Sequence, residues 1–294
     1  MNDLPMSMPD RLARLYFQRF PIEIGKWHVW CGIRHRLNPR AVGQGVTALP
    51  DGQRMLIDPH DQIGKTIFYW GMWEPNETYV LERLLRPGAC FVDIGANIGW
   101  FTLAAARLVG PTGRVIAIEA TPPTADVLRA NVAMNGHRNI TIHDVAVSDA
   151  AGSLRINHMH ATNAGMNSIR AGAETDEYWT VPAERLDALI GAEQEVGLVK
   201  MDVEGAEVMA LRGMTGLLAR RDAPDVMCEI TPDYLHQLGS SAAELLGLFA
   251  AAGYTGLLIG NRCLTELPLS FGEGSGGENV LFTRQPERVM AAMG

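Results

Sequence analysis

Cysteine is scarce and scattered. Four occur in 294 residues, at 31, 90, 228 and 263, with no C-x-x-C pair among them, so neither a zinc knuckle nor a dithiol redox centre is indicated. Cys90 and Cys228 fall at or within apolar segments, where a free thiol behaves as a small hydrophobe. That is the habit of a reducing compartment, and a cytoplasmic location is expected. Positive charge is also short, with 25 Lys and Arg against 33 Asp and Glu and a net charge of −8. Nucleic acid is thereby excluded as the main partner, because phosphate neutralisation needs a basic surface. The shortage is uneven. Before residue 51, Arg11, Arg14, Arg19, Lys26, Arg34, Arg36 and Arg40 outnumber Asp3, Asp10 and Glu23, which reads as a solvated N-terminal face. No apolar run approaches the about 18 residues of a membrane span, and Asp3 and Asp10 interrupt what would be a signal-peptide core.

What remains is ordinary globular composition, 47% hydrophobic and 20% charged, long enough for one large α/β domain with additions. Residues 9–20 carry Leu12, Leu15, Tyr16 and Phe20 at helical spacing. A hairpin is expected over 46–58, turning at Pro50-Asp51-Gly52, and a helix over 75–85 stopped by Pro87-Gly88. Strands then alternate with helices: 91–94, 98–109, 114–119, 123–135 and 140–147. After an irregular or hairpin insertion over 148–182, the series continues with 197–202, 205–220, 225–230, 241–252, 254–259 and a last strand at 279–283. Such alternation requires a mostly parallel sheet. The expected fold is a Rossmann-like, doubly wound α/β sheet of about seven strands, the last joining antiparallel at an edge. Residues 80–285 would form this domain, with 1–79 as an N-terminal extension over its ligand end. The run Gly272 to Gly277 lacks the lysine and following helix of a phosphate loop, and is expected to be a flexible turn.

The most informative stretch is Phe91-Val92-Asp93-Ile94-Gly95-Ala96-Asn97-Ile98-Gly99-Trp100. An apolar strand runs through an acid and a glycine-spaced turn into a helix, which is how such sheets hold a nucleotide-like ligand at their strand ends. A dinucleotide site would show G-x-G-x-x-G to cradle a pyrophosphate. Here the pattern is D-x-G-x-x-x-G. A carboxylate aimed into the turn repels phosphate and suits a ligand with an ammonium and a sulfonium, such as S-adenosylmethionine. Glu119, at the tip of the second strand, is placed to accept the ribose hydroxyls. Gly95, Ala96, Asn97 and Gly99 shape the turn, and Ala120, Asp144 and Val145 complete the expected cofactor set.

A second run, Lys200-Met201-Asp202-Val203-Glu204-Gly205-Ala206-Glu207, brings acids to the end of the fourth core strand, and Glu229 ends the fifth. Carboxylates clustered beside a cofactor are candidates for chemistry. Together V-D-I-G-A-N-I-G and K-M-D-V-E-G-A-E resemble the FkbM family of S-adenosylmethionine-dependent methyltransferases. So does Gly71-Met72-Trp73-Glu74-Pro75-Asn76-Glu77-Thr78, which places Trp73 and Glu74 over the methionine end. Leu128, Asn131 and Asn135, then Ala146-Val147-Ser148-Asp149, follow the same pattern. The resemblance covers roughly 50–285; Ala120 departs from it, standing where family members often have Glu-Pro after an aromatic.

The resemblance implies O-methyl transfer to a hydroxyl of a sugar, glycoside or related natural product. Asp202 is the first candidate base, with Glu204 and Glu229 as alternatives and His158 and His160 behind them. Asp202 also counts in the cofactor set. A divalent ion between Asp202 and Glu229 is conceivable, but metal-free chemistry is expected. The partner is then a small hydroxylated acceptor, with a homodimer contact through Trp27, Val29 and Trp30. Two other readings compete: a nicotinamide-dependent oxidoreductase, opposed by Asp93 and the missing middle glycine, and a non-catalytic cofactor sensor, which needs no second acidic cluster.

Overall fold

A computed structural model describes residues 2–19, 26–37, 39, 43–157, 178–268, 270–272 and 276–294. Two helices, α1 (Met8–Arg19) and α2 (Lys26–Ile33), precede a hairpin of β1 (Gly45–Ala48) and β2 (Arg54–Ile57). Next, α3 (Gln62–Trp70) and α4 (Pro75–Leu84) lead into β3 (Cys90–Ile94), α5 (Trp100–Val109), β4 (Arg114–Ile118), α6 (Pro122–Asn135) and β5 (Ile140–His143). Then come β6 (Ala146–Val147), β7 (Gly152–Asn157), β8 (Tyr178–Glu184) and α7 (Leu186–Leu189). Alternation resumes with β9 (Leu198–Met201), α8 (Glu207–Arg212), α9 (Thr215–Ala219), β10 (Asp225–Ile230), α10 (Pro232–Gln237), α11 (Ala242–Ala251) and β11 (Thr255–Ile259). The chain closes with β12 (Leu264–Glu266), β13 (Glu278–Thr283) and α12 (Pro286–Met293).

The main sheet runs β12-β11-β13-β10-β9-β3-β4-β5. The pairs β10–β9, β9–β3, β3–β4 and β4–β5 are parallel, while β13 is antiparallel to both its neighbours. All residues of β3 and β9 are buried, as expected for parallel strands covered on both faces. Val92, Ile94, Val199 and Met201 pack on one face against α8 and α11; Phe91 and Leu198 pack on the other against α4 and α5. The doubly wound α/β fold is therefore present, with one correction. The last strand does not join at an edge but fills the gap between β10 and β11. Its Val280-Leu281-Phe282-Thr283 run is wholly buried, which an edge position would leave half exposed.

Three other expectations change. The segment 140–147 is not one strand: the chain leaves the main sheet after His143, and Ala146–Val147 joins a separate sheet ordered β6-β8-β7. The expected helix over 205–220 is broken at Gly213, where a Cβ would overlap the Ser148 carbonyl oxygen. In α1, Leu12 and Leu15 are each 59% exposed, and the buried residues are Asp10 and Phe17. Asp10 is drawn inward because it accepts a hydrogen bond from the Tyr69 hydroxyl at 2.7 Å, while Phe17 stacks on Trp70. Phe20, His158 and His160 lie outside the described residues.

The N-terminal segment has its own cluster, with Leu4, Phe17, Trp30, Met55, Ile57 and Trp70 packed together and joined by Leu103 of α5. Trp30 is buried here, so it cannot supply the expected dimer contact. Asn131 ties this segment to the ligand end of the sheet. Its buried amide accepts from Leu56 N at 2.6 Å and donates to Ile98 O at 2.8 Å. Cys90 and Cys228 are buried thiols, whereas Cys31 and Cys263 are exposed. Among the described residues, no helix is long and apolar enough to cross a membrane.

Candidate active site

The turn after β3 is built from backbone that side chains resist: Gly95, Asn97 and Gly99 have φ of 79°, 51° and 94°. Asparagine tolerates this left-handed region because its short side chain bonds locally, and here Asn97 Oδ1 accepts from Ile98 N at 2.7 Å. Gly95 has no alternative. A Cβ there would overlap the Asp202 carbonyl oxygen, because Asp202 N donates to Ile94 O at 3.0 Å and brings the end of β9 against the turn. Gly99 serves packing instead, since its Cβ would lie 2.6 Å from Leu128 Cδ1 on α6.

Glu119 stands just past β4. Its Oε2 accepts from Asn97 N at 2.9 Å and its Oε1 from Thr121 N at 2.8 Å. Burial raises its pKa against the pull of those N–H groups. Each carboxylate oxygen can accept more than one hydrogen bond, so both keep capacity for a diol. Glu119, Ala120 and Val145 line a narrow cavity of about 90 Å³ with Gly95, Asn97 and Asp202. Asp144 is not brought in; it is half-exposed and ion-paired with Arg129 on α6.

Asp93 corrects the sequence reading. It does not point into the turn but lies beneath it, buried, with Oδ2 accepting from Thr102 Oγ1 at 2.6 Å and Oδ1 without a hydrogen-bond donor among the described residues. Burial pushes its carboxyl up to about 6, opposed by Lys200, its register partner on β9. Lys200 organises the acids around it. Its Nζ is 2.9 Å from Asp202 Oδ2 and 3.8 Å from Glu74 Oε2, and it sits 4.6 Å over the Phe101 ring. Burial is the largest single influence on Asp202 and would raise it, but the Lys200 charge together with the hydrogen bonds from Glu229 and Lys200 holds this carboxyl below its ordinary range. Glu74, in a left-handed conformation at φ 44°, is pushed up to about 8, first by burial and then by Asp202 and Glu77, with Lys200 opposing. Glu229 is pushed up to about 10, chiefly by the Asp202 charge and then by burial.

These groups open onto a cleft of about 440 Å³. Trp73, Glu74, Gly95, Ala96, Asn97, Asp202, Glu204 and Glu229 all line it. Its other walls include Asp61, Trp100, Tyr234 and Gly277, none of which sequence reasoning names as a site residue. Asp61 caps α3 by accepting from Gly64 N at 2.5 Å. Two of these had a visible signal, Gly277 as the last residue of the glycine run and Trp100 directly after the glycine-spaced turn. Glu207 belongs to the loop instead, accepting from Gly205 N at 3.0 Å.

The arrangement fits S-adenosylmethionine on three counts. The turn brings its backbone against the end of β9 at Gly95, where no Cβ fits, a buried carboxylate at the second strand tip retains acceptor capacity for a ribose diol, and the adjoining cleft is acid-rich, which suits a cation. Among the described residues, no group of three His, Cys, Asp or Glu is arranged to hold a metal ion. Sheet order, turn and acids together define a class I, Rossmann-like methyltransferase fold.

Sequence comparison places the chain within that class. The Methyltransferase FkbM domain matches residues 93–255, more than half of the chain, and the chain belongs to this family. The 31-O-demethyl-FK506 methyltransferase FkbM of Streptomyces tacrolimicus is 28% identical over 239 residues, covering 70% of this chain and 87% of that protein. Methyltransferase 1 of Beauveria bassiana is 28% identical over 144 residues, covering 42% of this chain; the match spans little more than half, 57%, of that relative's length. Among solved structures, a SAM-dependent O-methyltransferase from Thermotoga maritima aligns at a TM-score of 0.41 and 12% identity, covering 82% of this chain and 92% of that one.

Proposed function

We propose that this protein transfers a methyl group from S-adenosylmethionine to a hydroxyl oxygen of a sugar, glycoside or related natural product. One observation carries the reading: Asp202 lines both the narrow cavity beside Glu119 and the wider cleft beside Glu229. A carboxylate at the junction of cofactor and acceptor spaces is where a hydroxyl in line with the methyl group would lose its proton. The relative named for 31-O-demethyl-FK506 supports transfer to oxygen. Bound there, S-adenosylmethionine would supply an activated methyl group as a sulfonium.

The chain's own residues do the rest. Glu119 holds the ribose, Gly95 and Asn97 shape the methionine end, and Trp73 and Glu74 close over it. Asp202 would accept the proton that the acceptor hydroxyl gives up as its oxygen is methylated. A depressed pKa does not disqualify Asp202, because an alcohol oxygen becomes far more acidic as it gains a bond to carbon. Chiefly the enzyme must align the two reactants.

We read the transfer as metal-free. Lys200 already engages Asp202 at 2.9 Å, and Glu229 is hydrogen-bonded to the same carboxylate, so few oxygens remain for a magnesium-like ion. The four free thiols agree with a cytoplasmic setting. A homodimer contact, with Trp30 buried, would fall to Val29 and the exposed face of α1.

The test is radiolabelled methyl transfer from S-adenosylmethionine to a panel of glycosides and sugar nucleotides, with and without EDTA. Label in an O-methyl product that survives EDTA is expected. Restoration by magnesium after loss in EDTA would overturn the metal-free reading, and label appearing only on nitrogen or carbon would overturn O-methylation.

A further inference from the structure

Asp202 and Glu229 end neighbouring parallel strands. Met201 and Cys228 are register partners on β9 and β10, so the next residue on each strand brings two carboxyl groups side by side, and they are hydrogen-bonded. Two carboxylates cannot share a hydrogen bond without a proton between them. The surroundings decide which one keeps it. Lys200 donates to Asp202 at 2.9 Å, whereas the charged groups acting on Glu229 are acids: Asp202 on β9, Glu204 in the loop after it, and Glu74 ahead of α4. Asp233 of α10 opens onto the same cleft.

The seat of Glu229 is also specific. A Cβ on Gly277 would lie 2.7 Å from Glu229 Oε1 and 2.7 Å from Thr231 Oγ1. Such distances are closer than real Cβ atoms approach, so the last glycine of the 272–277 run leaves the room in which the Glu229 carboxyl stands. A flexible turn needs no such fit.

We propose that Glu229 is a positioning residue, the proton-donating partner that fixes the Asp202 carboxylate at the junction of cofactor and acceptor spaces, and that Gly277 seats it there. Glu229 is then not an alternative base, because it already carries the proton that a base would take up. The inference rests on the reading of Asp202 as proton acceptor. The physical support is consistent in sign: Glu229 is pushed up to about 10, first by the Asp202 charge, while Asp202 is held low by Lys200 and by the Glu229 hydrogen bond.

Infrared difference spectroscopy of the full chain tests this without a known acceptor. At pH 8 the wild type should show a carboxylic-acid C=O stretch that is absent from Glu229→Gln, and it should ionise with a midpoint near pH 10. Asp202→Asn removes the charge that raises Glu229, so the same signal should titrate about 1–3 pH units lower. Gly277→Ala, whose Cβ would crowd Glu229 Oε1 and Thr231 Oγ1, should shift the frequency of the same signal. A Glu229→Gln spectrum identical to wild type, or an Asp202→Asn midpoint unchanged, would overturn the proposal. Calorimetric titration of wild type with S-adenosylhomocysteine reports separately on the cofactor reading, so its failure would be distinguishable from a misplaced proton.

Discussion

The two ends of the parallel strands differ in kind. At their amino-terminal end lies a broad cavity of about 1190 Å³, with Arg107, Arg114, His137 and Arg138 on its walls. The cleft at the carboxyl-terminal end is about 440 Å³. Yet among the described residues three of the four non-glycine residues with positive φ, Glu74, Asn97 and Glu204, are at the smaller site. So are the buried Lys200 and the displaced carboxyls of Glu74, Asp93 and Glu229. Strain and buried charge cost free energy and persist where something requires them. Volume has no such cost. On this ground we assign the proposed chemistry to the smaller, more strained end.

The comparison can be broken by substitution at each end. Lys200→Met should have the largest effect, because it leaves Asp202 and Asp93 buried without their cation. Breaking a buried pair costs about 3–5 kcal/mol, which urea unfolding would read; a change within 0.5 kcal/mol would mean the acids are not charged as described. Glu119→Ala should weaken S-adenosylmethionine binding by about 1–3 kcal/mol, the loss of hydrogen bonds to a charged group, and unchanged affinity by calorimetry would remove Glu119 from the ribose.

Glu207→Gln sharpens the account through pH. Burial pushes Glu207 up to about 7 from an ordinary 4.5, so the folded state keeps a proton that the unfolded chain releases. Wild-type stability should fall as pH rises from about 4.5 through 7, and the amide should relieve that loss by about 1–3 kcal/mol at the upper end. Equal stabilisation at pH 4 and pH 8 would contradict this. Arg138→Ala, at the amino-terminal end, should be smallest, within about 0.5 kcal/mol for stability and without effect on cofactor affinity.

Much of this was legible in the sequence. Periodicity located seven of the eight strands of the main sheet, because strands buried on both faces leave continuous apolar runs, and it missed β12, which at three residues is too short to show one. Asn97 in a glycine-spaced turn foretold a left-handed residue. The misreadings share one cause, that tertiary partners outside the local window decided the outcome. Asp93 was read as facing a ligand, yet Thr102 and Lys200 draw it beneath the turn. The exposed Leu12 and Leu15 could not be foreseen, since the inward face of α1 is set by Tyr69 and Trp70, more than fifty residues away. Asp61, Trp100 and Tyr234 come from separate segments that only folding brings to one wall. Gly277 was visible as a glycine, but its reason, the Glu229 carboxyl 2.7 Å from where a Cβ would be, exists only in three dimensions.

We infer that S-adenosylmethionine binds at the carboxyl-terminal ends of the parallel strands, with its ribose in the narrow cavity beside Glu119. Isothermal titration of the full chain with S-adenosylhomocysteine and, in parallel, with NAD tests it most directly. The account predicts saturable one-to-one binding of S-adenosylhomocysteine, weakened in Glu119→Ala and unchanged in Arg138→Ala, with no heat from NAD. Saturable NAD binding in the absence of any S-adenosylhomocysteine binding would contradict it.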